Sequence, residues 1–254
     1  MQFVGVDLAA DPSRTALTSL RWRTSTTAVV EAVRVGVEDE QVIEAALTAN
    51  KVGIDCPLGW PMKFTQLLAQ HQRGQVSDPD RFAGVAGRWP LVWRETDKAV
   101  RRQTGLTPLS ASADRIAHVA IRCAVILARC VEQGVSVDRS GAGTVCEVYP
   151  AASPKTWAVP HRRYKGTDGR DELGRLVEAL KAKTPWLELG RHEDLLRHSD
   201  HAADSLIAAL SAVAAARGHA TRPARDQQFA ADVEGWIAVP TTDLGTLGIE
   251  CDDE

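Results

Sequence analysis

The sequence predicts an α/β domain: a mixed β-sheet with helices on its faces, built in the order β-β-β-α-β-α-β-α. Three observations carry that expectation. The opening stretch is rich in Val, Thr and Leu and breaks into three strands with short connections, an antiparallel meander. Helical periodicity then alternates with short apolar runs, and strands separated by such crossovers lie parallel. Finally, carboxylates sit inside the apolar runs, where burial is costly unless a partner is supplied.

In chain order, residues 3–9 form a short apolar run closed by the turn cluster Asp11-Pro12-Ser13. Residues 15–22 alternate, and residues 27–37 carry Val29, Val30, Val33, Val35 and Val37. Val42, Ile43, Ala46 and Leu47 recur at helical spacing and predict an amphipathic helix over 38–50. A second buried-type strand, 52–55, ends at Cys56-Pro57-Leu58-Gly59-Trp60-Pro61. Loops and helices follow, the clearest a helix with Ser112 as N-cap and Asp114 in its first turn, running to Gln133 and stopped by Gly134. Residues 144–149 read as a strand ended by Pro150, and 171–183 as a helix. The Ala-rich stretch 199–217 predicts a strong helix with Leu206, Ile207, Leu210, Val213 and Ala214 inward. One more strand is expected at 235–239, and Glu250-Cys251-Asp252-Asp253-Glu254 as a solvated tail. The whole reads as one domain over 1–250, with insertions at about 60–143 and 151–198.

Composition narrows the function. Among 254 residues, 30 basic against 33 acidic side chains give a formal charge of −3, which argues against a DNA-coating protein but leaves room for a local basic groove. No apolar window reaches membrane-spanning length, and the first residues do not read as a signal peptide. The cysteines at 56, 123, 130, 146 and 251 never form C-x-x-C; an odd, scattered set is expected to be reduced, as in a cytoplasmic protein. Phosphate-loop, nucleophile-elbow and dinucleotide-binding motifs are absent, and His192, His198 and His201 lack zincin spacing. The tryptophans at 60, 89, 93, 157, 186 and 236 read as core or loop anchors, and Cys56 as a small buried filler.

The acids are the informative feature. Alternation places Gly5 and Asp7 on one strand face, opposite Val4, Val6 and Leu8, and pairs Gly53 with Asp55 in the same way. Glu147 lies between Cys146 and Val148 in a third strand. On the last long helix Asp200 and Asp204 share a face, continued by the small residues Ala208 and Ser211, so that the helix can lie close to the sheet with Asp204 aimed at it. Each acid alone could cap a helix or pair with an arginine. Together they suggest a site, and clustered carboxylates are the donor set of Mg²⁺ or Mn²⁺, two of which can clamp a phosphoryl transfer.

Several segments resemble the family called domain of unknown function 429, a group of predicted nucleases with a ribonuclease H-like fold. They are Val4-Gly5-Val6-Asp7-Leu8-Ala9, Gly53-Ile54-Asp55-Cys56-Pro57-Leu58-Gly59-Trp60-Pro61, Arg94-Glu95-Thr96-Asp97, Pro108-Leu109-Ser110-Ala111-Ser112-Ala113-Asp114-Arg115, Glu147-Val148-Tyr149-Pro150-Ala151, Tyr164-Lys165-Gly166 and Asp204-Ser205-Leu206-Ile207-Ala208-Ala209-Leu210. The resemblance implies Asp7, Asp55 and Asp204 as metal ligands, with Glu147 a fourth, and these same acids as catalytic residues. The stretch from Arg94 to Arg115 departs from a minimal ribonuclease H, so substrate does not carry over.

Two basic stretches bear on a substrate. Arg94, Lys98 and Arg101 recur at helical spacing and read either as a solvated face with internal ion pairs or as a phosphate clamp. Asp97, Ser112 and Arg115 belong to the same candidate substrate-binding group. A second segment, from Lys155 through His161, Arg162, Arg163 and Lys165 to Arg175, interleaves Trp157 and Tyr164 with cations and is expected to rim the site behind Glu147. The expectation is a Mg²⁺- or Mn²⁺-dependent nuclease acting on DNA or RNA, with His201 placed to act as a proton shuttle. The rivals are a non-catalytic binding module on the same scaffold and, further off, a phosphotransferase.

Overall fold

The computed structural model describes residues 1–248. The meander forms as expected: β1 (Gln2–Asp7), β2 (Ala16–Trp22) and β3 (Ala28–Val35) are followed by α1 (Asp39–Thr48) and β4 (Lys51–Asp55). Between β4 and β5 (Val145–Glu147) lie α2 (Met62–Gln72), α3 (Gly84–Val92), α4 (Glu95–Thr104) and α5 (Ala117–Glu132). After β5 come α6 (Ser153–Thr156), α7 (Arg170–Lys183), β6 (Leu187–Glu188), α8 (Glu193–His198), α9 (Asp200–Ala216) and α10 (Gln228–Glu234).

The strands make one six-stranded sheet in the order β5-β4-β1-β2-β3-β6. β2 runs antiparallel to both β1 and β3, while β1–β4, β4–β5 and β3–β6 pair parallel. The C-terminal ends of β1, β4 and β5 therefore emerge on the same edge, and Asp7 lies directly beside Asp55 in register. Strand alternation divides the interior. Val4, Val6, Val52 and Ile54 pack with Val42, Ile43, Cys123 and Ile126 from α1 and α5. Phe3 and Leu20 pack on the other side with Leu206, Ile207 and Leu210 of α9 and with α7.

Helix α9 is buried from Ala202 to Ala214, and the glycines of the sheet explain how it gets so close. A β-carbon on Gly5 would stand 2.0 Å from the Ala209 amide nitrogen and 2.1 Å from the Ser205 carbonyl oxygen. One on Gly53 would stand 2.6 Å from the Ala208 carbonyl oxygen. Helix backbone lies on strand backbone here, and Thr18 and Ser205 share a buried hydroxyl–hydroxyl bond of 2.7 Å at the same contact. The Ser199 hydroxyl caps the helix by accepting from the Ala202 amide.

Three elements differ from the sequence reading. The helix expected from Ser112 starts at Ala117, because the Ser112 hydroxyl donates to the Leu91 carbonyl and Asp114 accepts from the Ser110 amide, fixing a turn in place of a cap. The expected strand at 235–239 is reduced to isolated bridges, Glu147 with Ile237 and Ala220 with Pro240. β6 has no counterpart in the sequence pattern, because two residues carry no period. The acidic tail at 250–254 lies outside the described residues, and among those described no helix is long and apolar enough to cross a membrane.

Candidate active site

The C-terminal ends of β1 and β4 and the first turns of α9 meet at one place, each delivering a carboxylate. Asp7 ends β1, Asp55 ends β4, and Asp204 lies one turn into α9, buried. Gly5 and Gly53 sit two residues before the strand acids on the same face, so the close seating of α9 is also what brings Asp204 to them.

Each acid meets a different environment. The Asp7 carboxylate lies 2.6 Å from His201 Nδ1, a bond that, against desolvation, holds the imidazole pKa above its ordinary value. Asp204 accepts from the Tyr164 hydroxyl at 2.7 Å and from Lys165 Nζ at 2.6 Å. Burial still outweighs Lys165 and, with Asp7 adding repulsion, pushes Asp204 up to about 6. Asp55 has no side-chain hydrogen bond or ion pair among the described residues. Burial, joined by the negative charges of Asp7 and Asp204, raises it well above the usual carboxylate range. Lys165 is the countercharge of the group: desolvation opposes it, but Asp204, Asp55 and Asp7 together hold its ammonium above the ordinary lysine range.

Tyr164 and Lys165 reach inward because their loop is clamped. Arg163 has φ of 60°, in the left-handed region, and Gly166 follows with φ of 78°. The Gly166 amide donates to Asp200 at the start of α9. The second basic segment therefore does rim the site through these two residues, while Trp157 is buried in the core.

Glu147 lines one cavity with Asp55 and Lys165 but leaves its strand on the other face. Its register partner is Ile54, so it projects from the sheet face opposite the one that Gly53 and Asp55 share. There the Arg94 guanidinium engages it twice, at 2.8 and 2.7 Å, and the Leu58 amide donates to it at 3.0 Å. Burial lifts the Glu147 pKa, with Arg94 pulling against it. Arg94 is 1 % exposed, and its N–H groups go to Glu147, to Asp97 at 3.2 and 2.9 Å, and to the Glu234 carbonyl at 3.1 Å. A guanidinium has five N–H donors, and all are engaged. Arg94 and Asp97 are thus a structural ion-pair centre, not a phosphate clamp, and Arg94 engages both carboxylate oxygens of Glu147. Ser112, bound to Leu91, serves the loop.

Arg115 keeps its place as a binding candidate. It lines a cavity of about 490 Å³ together with Asp55, Tyr149, Lys165, Leu109 and Ile116. Burial and the Asp55 charge raise the Tyr149 phenol. Arg101 lies away from this cavity, with its guanidinium 5.2 Å from the Trp93 ring centre. Sequence reasoning missed Glu234, whose carboxylate accepts from the Met62 and Glu95 amides, both at 2.9 Å, and so caps α2 and α4 together. A lone acid before a glycine carries no signal for that role. A second cavity of about 680 Å³, lined by Lys51, Asp138 and Arg222, opens at the other end of the strands and shares no residue with the carboxylates.

Among the described residues, no three or more His, Cys, Asp or Glu side chains are already assembled at metal-binding distance. The arrangement is a convergence of three aspartates tied off by one lysine and one histidine.

Fold and site together define a mixed α/β protein with a carboxylate centre at the C-terminal edge of its parallel strands. The chain matches the family described as "Protein of unknown function (DUF429)" over residues 5–228, and belongs to it. Neither a curated protein nor a solved structure matches.

Proposed function

We propose that this chain is a metal-dependent phosphodiesterase acting on nucleic acid, on a ribonuclease H-like sheet. The antiparallel meander joined to parallel β4 and β5 supports that fold. The observation that carries the chemistry is Asp55: a half-buried carboxylate with no hydrogen bond among the described residues, in register beside Asp7, with Asp7 and Asp204 both raising its pKa. Such a group requires a cation, and Lys165 stands in for one only in part.

Asp7, Asp55 and Asp204 would hold Mg²⁺ or Mn²⁺, whose hard-oxygen preference they fit. When bound, the metal supplies Lewis acidity at a phosphoryl group. The chain's own residues do the rest. Arg115 and Lys165 neutralise the phosphate entering the cavity. His201 is anchored through Nδ1 to Asp7, which leaves Nε2 without a hydrogen bond among the described residues as the atom that takes or gives a proton. Tyr164 fixes the orientation of Asp204.

A second reading keeps a specific observation in its favour. Asp7 and Asp204 already have partners within the chain, a histidine and a lysine, as a non-catalytic ribonuclease H-like binding module would require. Calorimetric titration with Mn²⁺ and a cleavage assay on single-stranded, duplex and branched substrates separate the two. The nuclease reading expects Mn²⁺ binding that is lost in Asp55→Asn and Asp204→Asn, and cleavage that is lost in Asp7→Asn. Absent Mn²⁺ binding, or equal cleavage by wild type and Asp7→Asn, returns the chain to the module.

A further inference from the structure

We propose that the exposed ring stack on α3 is a platform for unpaired nucleobases, so that the substrate is single-stranded nucleic acid; this rests on the nucleic-acid reading above. Trp89 and Trp93 stack with ring centres 5.6 Å apart and planes 18° from parallel, and the Arg101 guanidinium lies over Trp93. Trp89 is 51 % exposed. The sequence reads Trp89 as a core or loop anchor, whereas it is an exposed helical residue.

Nothing in the core explains the stack. Helix α2 has no buried residue, and α3 buries Leu91. A tryptophan held near-parallel to a second ring has its orientation fixed before any ligand arrives, and half of Trp89 remains accessible. Stacking on such a ring tolerates any base, since every base has a π face.

Charge selects the occupant. Arg101 lies over the stack, and Arg88, Arg101 and Arg102 are exposed and form no ion pair among the described residues. Of the acids nearby, Glu95 pairs with Lys98 and Asp97 is buried under Arg94, while Asp80, in the turn at 79–82 that packs against α3, is exposed. Aromatic rings interleaved with unpaired guanidinium groups suit a polyanion with exposed bases. Position agrees with chemistry. Ser110 and Ser112 donate to the Val92 and Leu91 carbonyls, both at 2.7 Å, tying α3 to the loop whose Thr107, Leu109 and Arg115 line the carboxylate cavity. The loop that lines the cavity is thus bonded to the helix that carries Trp89.

The test is anisotropy of a labelled oligothymidylate about twelve nucleotides long, a length within the range such platforms cover, in EDTA so that binding is read without cleavage. The wild type is expected to bind it more tightly than the matching duplex. Trp89→Ala, at an exposed position, should weaken single-strand binding by about tenfold, the scale of one lost base stack, while Trp89→Phe retains most of it. Arg101→Gln should reduce the slope of log affinity against log salt by about one. Unchanged affinity in Trp89→Ala, duplex binding as tight as single-strand binding, or no oligonucleotide binding (as for a protein-docking surface) overturns the proposal. Metal-dependent cleavage with no dependence on Trp89 removes the platform and keeps the nuclease. Trp89-dependent binding without cleavage does the reverse.

Discussion

Gly5 faces Ser205 across so short a gap that a β-carbon on the glycine would stand 2.1 Å from the serine's carbonyl oxygen. This contact sets the height of α9 above β1, and with it the position of Asp204 relative to Asp7.

Gly5→Ala should therefore be severely destabilising. The atoms that must yield, Ser205 oxygen and Ala209 nitrogen, are helix backbone, so no side chain can rotate away. Overpacking of this kind costs about 3 kcal/mol or more, read as a lower denaturant midpoint. Gly174→Ala is the control. It lies inside α7 with nothing within 4 Å of the added carbon, and should stabilise by about 0.5–1 kcal/mol. Equal stabilities for the two variants would contradict the close seating of α9.

Arg94→Ala should cost about 3–5 kcal/mol, because Glu147 and Asp97 would remain buried without their countercharge. Arg94→Lys should recover little, since an ammonium cannot reproduce the fork that engages both acids. Urea denaturation of the three proteins checks this. Full stability of Arg94→Ala, with a loss confined to substrate affinity, would restore the phosphate-clamp role.

The thiols of Cys56, Cys123, Cys130 and Cys146 are buried, and burial pushes Cys146 up to about 11. In native protein at about pH 8 an aromatic disulfide reagent should leave all four unmodified, and in denaturant it should label them. Peptide mass mapping identifies the sites. Rapid native labelling at any one of them would contradict its burial.

Glu193 of α8 accepts from Lys181 at 2.9 Å and from Arg197 at 2.8 Å, and these bonds hold its carboxyl below the ordinary value. A pKa lowered by folding contributes stability above the unfolded-state value, and that contribution is lost as pH falls through the folded one. Wild type should therefore lose more stability than Glu193→Gln between about pH 6 and pH 3, by a small margin that shrinks in high salt. Parallel losses at low salt would show that the three-way pairing does not hold in solution.

Much of the fold is legible in the sequence because its signals are local. The valine runs mark β2 and β3, the helical stripe from Leu206 to Ala214 marks α9, and the repeated glycine-then-acid pattern places Asp7 and Asp55 at strand ends facing one helix. Part of the site is legible too: the helix face of Asp204 aims it at the sheet, and the segment behind Glu147 brings Tyr164 and Lys165 to the rim, where both bond Asp204.

What the chain's own pattern determined is which side chains face inward and where each strand and helix lies, since periods of two and 3.6 residues are properties of neighbouring positions. Tertiary structure alone decided the partners. Arg94 meets Glu147 across 53 positions, Glu234 reaches two distant helix starts, and Glu147 leaves its strand on the face opposite Asp55. A buried charge is satisfied by whatever group packing brings within about three ångströms, and that distance depends on how whole elements settle against one another.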